Sequence, residues 1–258
     1  MLLALDVGNT NIVIGVFDGA TLVHSWRLTT IRERTADELG ILVTNLCDHH
    51  GVKRADIDGI IIASVVPPLT GTLEAMAKAY FGREPLMFEP AVHGGMPIKY
   101  DNPAEVGADR VVNGIAAYED YGRKAGLPVI VVDFGTATTF DAISAKGEYL
   151  GGVICPGPQI SADALFQRAA KLPRIDVKKP LRVIGTTTVR SMQAGLFWGY
   201  VDMVEGLVRR IRQELGGSAV VVATGGLASV VAPESKEIAH VDDELTLRGM
   251  RMVWERNR

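Results

Sequence analysis

One short pattern occurs twice in this sequence and limits the possible folds more than any other feature. An acidic residue near the end of an apolar run is followed by a glycine turn with hydroxyl side chains, and a second apolar run follows. The first copy begins at Asp6 and the second at Asp133, about half of the 258 residues further along. This repetition predicts two related lobes of ordinary domain size, residues 1–122 and 123–258.

Hydrophobic periodicity predicts the secondary structure between the two copies. Apolar runs rich in β-branched residues predict strands at 2–7, 12–17, 22–28, 57–66, 129–133, 138–143 and 219–223. Apolar residues at every third or fourth position predict helices at 36–47, 69–81, 108–121 and 188–215. Because strands and helices alternate, we expect an α/β fold.

The last of these helices contains three glycines, Gly195, Gly199 and Gly206. Each weakens a helix by up to ~1 kcal/mol relative to alanine. Close packing against another backbone would compensate, and this backbone could belong to the same chain or to a second subunit.

The composition excludes several classes of protein. With 47% hydrophobic residues, 22% charged residues and a formal net charge of −3, we expect a globular protein that does not bind nucleic acid. Cys47 and Cys155 lack the spacing of a zinc site or a disulfide framework, which favours a reducing compartment. No apolar run approaches the ~20 residues of a membrane span and no signal peptide is visible, so we expect a cytoplasmic protein without membrane contact.

The repeated turn has the chemistry of a phosphate-binding element. Glycine permits positive φ and close backbone approach, so peptide N–H groups and the hydroxyls of Thr10, Thr136 or Thr138 can face phosphate oxygens. The carboxylates of Asp6 and Asp133 repel phosphate, so we expect a cation or water between them. One copy alone could be an ordinary capped hairpin, but two copies in matching contexts favour a polyphosphate held from both sides.

Two further motifs add chemistry. Thr224-Gly225-Gly226 follows a predicted strand and suits the sugar or base of a nucleotide, although taken alone the signal is weak and an ordinary turn explains it better. At the head of the helix that begins near Ala108, Arg110 can hold a substrate carboxylate and Asp109 can accept a proton from an attacking hydroxyl. Acidic residues are also favoured in the first turn of any helix, so both could be ordinary surface groups.

Together these motifs resemble those of type III pantothenate kinases, within the superfamily of acetate and sugar kinases, heat-shock ATPases and actin. The resemblance rests on the paired turns, Gly107-Ala108-Asp109-Arg110 and Thr224-Gly225-Gly226, and it extends from Leu3 to about Gly249. It implies an actin-like ATPase fold of two ribonuclease-H-like lobes with a nucleotide cleft between them. The implied activity is ATP-dependent phosphorylation of pantothenate to 4′-phosphopantothenate, the first step of coenzyme A synthesis.

The resemblance also implies roles for individual residues. Asp109 matches the family's proton acceptor, and Asp133 matches the ligand of a potassium or ammonium ion that acts besides Mg²⁺. Implied ATP contacts are Asp6, Val7, Gly8, Asn9, Thr10, Asn11, Ile12, Val13, Thr136 and Gly225. Implied pantothenate contacts are Tyr100, Gly107, Ala108, Asp109, Arg110 and Thr188. Some members have a basic residue where this chain has Asn11-Ile12-Val13, so phosphate neutralisation is expected to depend more on backbone and cations.

The family is dimeric, with the substrate pocket near the subunit interface, and the glycine-bearing helix after Thr188 fits a homodimer. Two alternatives remain open. Another small-molecule kinase of the same superfamily, acting on a sugar or a short acid, would have the same two turns. A nonenzymatic nucleotide-binding regulator would retain the turns without catalysis.

Overall fold

The computed structural model describes residues 1–258, which form two compact units. The first unit comprises Met1–Ala116 and Leu245–Arg258, and the second comprises Ala117–Glu244. These units differ from the predicted lobes mainly at the end of the chain, where the terminal segment belongs to the first unit. Periodicity cannot indicate which of two sheets a terminal helix covers.

The first unit contains a five-stranded sheet of order β3-β2-β1-β4-β5. Its strands are β1 (Leu2–Val7), β2 (Asn11–Asp18), β3 (Thr21–Thr29), β4 (Gly59–Ser64) and β5 (Leu86–Met87). Its first four helices are α1 (Ala36–His49), α2 (Thr70–Met76), α3 (Pro90–His93) and α4 (Ala108–Ala117). The sheet core packs against apolar faces of α1 and α2, which include Leu39, Val43, Leu73 and Met76.

The second unit contains a five-stranded sheet of order β10-β9-β6-β7-β8. Its strands are β6 (Val129–Phe134), β7 (Ala137–Ile143), β8 (Tyr149–Pro156), β9 (Val220–Thr224) and β10 (His240–Val241). Its helices are α5 (Arg123–Ala125), α6 (Pro158–Arg168), α7 (Thr188–Glu214) and α8 (Ala228–Val231). The terminal helix α9 (Leu245–Asn257) follows in the chain but belongs to the first unit. None of the helices combines the length and apolar character that crossing a bilayer requires.

The two sheets have the same topology. In each, three consecutive strands form an antiparallel meander. The first strand of the meander also pairs in parallel with a fourth strand, which in turn pairs in parallel with a fifth. The acidic residues of the sequence repeat occupy equivalent places, Asp6 near the end of β1 and Asp133 near the end of β6. The prediction of two related α/β lobes is therefore confirmed.

Helix α9 lies close against α4, the helix that carries Asp109. A Cβ atom added at Gly249 of α9 would lie only 2.1 Å from the carbonyl oxygen of Val112 in α4. The Oγ1 of Thr246 donates a hydrogen bond of 2.7 Å to the Oδ1 of Asn113. Two glycines of the sheet make room for the same helix, Gly15 against Leu247 and Gly59 against Trp254.

Replacement of Gly249 by alanine is expected to destabilise the protein. The added methyl group overlaps the Val112 carbonyl, so α9 must move away from α4, and overpacking of this kind costs about 1–3 kcal/mol. Urea unfolding measures the loss. Gly71→Ala is the matched control, since an added Cβ there meets no atom within 4 Å and alanine favours the helix. Equal stability of the two variants would contradict the close approach of α9 and α4.

Candidate active site

The first copy of the repeated turn joins β1 to β2. The strands remain paired up to Val7 and Ile12, and the turn itself consists of Gly8, Asn9, Thr10 and Asn11. The N–H of Gly8 donates to the carbonyl of Asn11 at 3.0 Å, and a Cβ at Gly8 would lie 3.2 Å from that oxygen. Gly8 does not adopt positive φ, so that expectation is wrong here, and crowding in the turn favours glycine instead.

The side chains of this turn differ in what they can offer a ligand. Asn9 and Thr10 are exposed, whereas Asp6, Asn11 and Val13 are half-buried. Val7 and Ile12 are buried, so they can contact a nucleotide only through their backbone groups. The turn therefore presents peptide groups, the exposed Asn9 amide, the half-buried Asn11 amide and the exposed Thr10 hydroxyl at the end of the strand that carries Asp6.

The second copy joins β6 to β7 and is one residue shorter. Phe134 pairs with Thr138, so the turn consists of Gly135, Thr136 and Ala137. Gly135 again lacks positive φ. Thr138 is fully buried, which corrects the expectation that its hydroxyl faces phosphate, whereas Thr136 is exposed. Thr136 is therefore the hydroxyl that this turn offers to a ligand.

Two other glycines contact the second turn. Gly225, directly after β9, has φ of +91°, and a Cβ there would lie 2.4 Å from Oδ1 of Asp133 and 2.7 Å from the backbone of Phe134. Gly157, after β8, donates its N–H to the carbonyl of Thr136 at 3.1 Å. A Cβ at Gly157 would lie 2.2 Å from that same oxygen. The second unit thus brings Asp133, Thr136 and Gly225 together.

Sequence reasoning missed Gly157. Its signal was the Gly157-Pro158 pair that separates an apolar run from a helix, which is common turn chemistry and does not by itself indicate a site. Only the three-dimensional contact with Thr136 shows that a side chain at this position would displace the second turn.

Asp133 supplies one carboxylate as a possible cation ligand at the second turn. The Asp133 carboxylate is half-buried, its Oδ1 lies beside Gly225, and carboxylate oxygens are ligands that hard cations prefer. The structure contains no group of three or more acidic, histidine or cysteine side chains able to hold a metal ion. A single carboxylate of this kind fits a cation that is held largely by nucleotide phosphates and water.

The Gly107–Arg110 cluster forms the beginning of α4 in the first unit. Oδ1 of Asp109 accepts a hydrogen bond of 2.9 Å from the backbone N–H of Arg110. A Cβ at Gly107 would lie 2.6 Å from this Oδ1, so glycine leaves the space that the carboxylate occupies. Ala108 and Arg110 are each 7% exposed, and Asp109 is half-buried.

Burial changes the acidity of Asp109. Desolvation raises the pKa of its carboxyl group above the ordinary aspartate value, while the Arg110 N–H and guanidinium act in the opposite direction. A raised pKa makes a carboxylate a stronger proton acceptor and is common among catalytic acids and bases. The direction of this pKa shift agrees with the predicted role of Asp109 as a proton acceptor.

The remaining predicted substrate residues lie in different units. Tyr100 is half-buried in the segment before α4, in the same unit as Asp109. Thr188 is exposed at the start of α7 in the second unit, where the Thr187 side chain caps the helix by accepting from the N–H of Arg190. A groove of about 890 Å³ lies there, lined by residues that include Gly185, Thr186, Thr187, Thr188, Ser191 and Met192.

The three glycines of α7 have no packing partner within the chain. A Cβ atom added at Gly195, Gly199 or Gly206 would have no atom within 4 Å. The alternative of a buried contact inside the chain is therefore wrong. The glycine face of α7 remains open to an external partner.

Comparison with known proteins assigns the family and the fold. The type III pantothenate kinase family profile matches residues 2–210. A Type III pantothenate kinase of Myxococcus xanthus is 57% identical over 257 residues, covering 100% of this chain and 99% of its own length.

Two solved structures, similar in fold at low identity, extend the comparison. A protein of Campylobacter jejuni described as a Baf family transcriptional activator has a TM-score of 0.65 and 20% identity, with 99% and 98% of the two chains covered. MreB 5 of Spiroplasma citri, bound to AMPPNP, has a TM-score of 0.53 and 11% identity, with 98% and 96% covered. The predicted actin-like ATPase fold is thereby confirmed. Since the family profile and the full-length relative agree, this chain belongs to the type III pantothenate kinase family.

Proposed function

We propose that this protein transfers the γ-phosphoryl group of ATP to pantothenate and forms 4′-phosphopantothenate, the first step of coenzyme A synthesis. Family membership over the full length carries the proposal. The half-buried carboxylate of Asp109 and the duplicated glycine turns support it, because they supply an acid–base group and phosphate-binding backbone.

In this proposal both turns bind the phosphates of one ATP. The first contributes Asp6 to Val13, with the peptide groups of the turn and the Thr10 hydroxyl facing phosphate oxygens. The second contributes Thr136, and the turn at Gly225 accommodates the nucleoside. Mg²⁺ and a potassium or ammonium ion would neutralise phosphate charge, with Asp133 as ligand of the monovalent ion and Asp6 oriented towards Mg²⁺ through water.

The acceptor is held beside Asp109. Arg110 forms paired hydrogen bonds with the pantothenate carboxylate, and Tyr100, Gly107, Ala108 and Thr188 complete its binding site. Asp109 accepts the proton of the primary hydroxyl as this oxygen attacks the γ-phosphorus in line. Alignment and neutralised charge supply most of the rate enhancement, because phosphoryl transfer has a loose transition state.

We further propose a homodimer and a cytoplasmic location, with no nucleic-acid or membrane partner. The open glycine face of α7 supports the dimer, since small residues allow a second backbone to approach closely. The modest net charge of −3 gives no support to nucleic-acid binding.

ADP formation with and without pantothenate tests the proposed function. With Mg²⁺ and K⁺ present, pantothenate should stimulate ADP release and yield one 4′-phosphopantothenate per ADP. Glucose, N-acetylglucosamine and acetate serve as alternative acceptors and should give no stimulation. A preference for one of these acceptors would indicate a different kinase of the superfamily, and nucleotide binding without any turnover would indicate a regulator.

A dependence on monovalent cation is expected from the Asp133 site. Turnover in Mg²⁺ with sodium as the only monovalent ion should fall well below turnover with added potassium or ammonium. Initial rates at constant ionic strength measure the difference. Asp133→Asn should remove most of the potassium response, and equal wild-type rates in sodium and potassium would exclude Asp133 as a ligand of this cation.

A further inference from the structure

The first turn lacks a cationic side chain of its own. No lysine or arginine occurs before Arg27, and the only charged side chains of β1, β2 and their connecting turn belong to Asp6 and Asp18. Peptide N–H groups contribute partial positive charge to an anion site, but a polyphosphate carries several full negative charges. A complementary full charge must therefore come from another part of the chain or from a bound cation.

Residues 30–35 connect β3 to α1 and form hydrogen bonds with this turn. The Oγ1 of Thr30 donates to the carbonyl of Gly8 at 2.7 Å, and the Thr30 N–H donates to the carbonyl of Thr10 at 2.9 Å. The other end of the segment is fixed by a capping box, in which Thr35 and Glu38 exchange hydrogen bonds at the start of α1. Both ends of the segment are therefore held, and one end is held on the turn itself.

Arg32 lies in this segment, and its side chain is directed towards the turn. Its Nη2 donates to the Oδ1 of Asn9 at 3.3 Å, and no carboxylate forms an ion pair with it. Asn9 is a neutral partner, so it orients the guanidinium without cancelling its charge. A guanidinium has five N–H donors, and the bond to Asn9 uses one of them. The neighbouring Arg34 is directed elsewhere, since its Nη1 donates to the backbone carbonyl of Thr29 at 3.2 Å.

We propose that Arg32 is a phosphate-binding residue of the first turn and that Asn9 positions it. The remaining guanidinium N–H groups can donate two parallel hydrogen bonds to phosphate oxygens, which an ammonium group cannot reproduce. This inference rests on the proposed binding of ATP phosphates at the first turn. It assigns to a residue outside the hairpin the positive charge that the hairpin lacks.

Equilibrium binding of ATP, ADP and adenosine to Arg32→Gln tests the inference without reliance on turnover. Loss of a charge-assisted pair should weaken ATP binding by roughly 10- to 100-fold, weaken ADP binding by a similar or smaller factor and leave adenosine binding unchanged. The KM for ATP should rise in parallel while the KM for pantothenate stays constant. Arg32→Lys should recover only part of the affinity, and Arg34→Gln, with equal loss of charge in the same segment, should bind ATP like the wild type.

A fourth variant, Gly8→Asp, places a carboxylate in the turn and separates failure of this inference from failure of the proposed site. Circular dichroism and thermal unfolding verify that each variant is folded. If Gly8→Asp abolishes ATP binding and Arg32→Gln does not weaken it, Arg32 is excluded and the turn remains a phosphate site. If neither variant weakens ATP binding, the turn assignment is wrong as well. Equal losses in Arg32→Gln and Arg34→Gln would indicate a general charge effect and overturn the specific role of Arg32.

Discussion

Replacement of Asp109 by asparagine is expected to lower turnover with pantothenate by roughly 10²-fold or more, the usual contribution of a general base. Asparagine preserves the size of the side chain and can still accept the hydrogen bond from the Arg110 N–H. It cannot accept the proton of the attacking hydroxyl. Pantothenate binding should therefore persist, which isothermal titration calorimetry measures, while single-turnover rates report the loss of chemistry.

The stability of Asp109→Asn provides an independent check, because burial raises the pKa of this carboxyl group. The fold thus favours the neutral form. The contribution of protonated Asp109 to the free energy of unfolding is fully present below the pKa that the group has in the unfolded chain. It is lost as pH rises through the higher pKa that the group has in the folded protein. At neutral pH asparagine removes this unfavourable charge burial, so the Tm of the variant should equal or exceed that of the wild type.

The matched control for this substitution is Glu105→Gln. Glu105 is an exposed carboxylate in the segment before α4, hydrogen-bonded to the side chain of Asn102 at 2.9 Å. Its replacement should leave turnover within a factor of about two of the wild type, as expected for a surface group. Wild-type turnover in Asp109→Asn, or equal losses in both variants, would exclude Asp109 as the proton acceptor.

Replacement of Gly225 by alanine is expected to remove both stability and activity. At φ of +91° an alanine is strained, and its Cβ would lie 2.4 Å from Oδ1 of Asp133 and 2.7 Å from the backbone of Phe134. Strain and overlap together should cost about 2–5 kcal/mol. Because the overlap displaces Asp133 itself, the potassium response should disappear and the KM for ATP should rise.

Gly126→Ala separates strain from overlap. Gly126 also has positive φ, at +66°, but an added Cβ there meets no atom within 4 Å. This variant should lose only the ~1–2 kcal/mol of a left-handed alanine and keep its potassium response. Urea unfolding and potassium titrations of both variants provide the comparison. Equal losses of stability and equal potassium responses in the two variants would show that the close approach of Gly225 to Asp133 does not affect function.

The part of the fold that the sequence predicted is the part with strong periodicity. The repeated turn correctly indicated two related sheets, and the long apolar stripe of α7 gave that helix to within one residue at its end. Strand β8 was missed because Gly151 and Gly152 interrupt it. Strands β5 and β10 contain two residues each, which is too short for any period to be visible.

The site was predictable at the level of motifs and less so at the level of side chains. The second turn is one residue shorter than the first, and turn length sets the register of the two strands. This register determines which face of the sheet the Thr138 hydroxyl lies on. The contacts of Gly157 and Gly249 join segments far apart in the chain. The raised pKa of Asp109 follows from burial, which depends on packing of the folded chain.

A crystal structure of the protein with AMPPNP, Mg²⁺, K⁺ and pantothenate tests the central claim most directly. The measured quantities are the distances from the triphosphate oxygens to the two turns and from the acceptor hydroxyl to Asp109. We expect hydrogen bonds of about 3 Å from both turns to one triphosphate, and the hydroxyl within about 3 Å of the Asp109 carboxylate. A triphosphate held by one turn alone, with the acceptor hydroxyl distant from Asp109, would contradict the proposed mechanism.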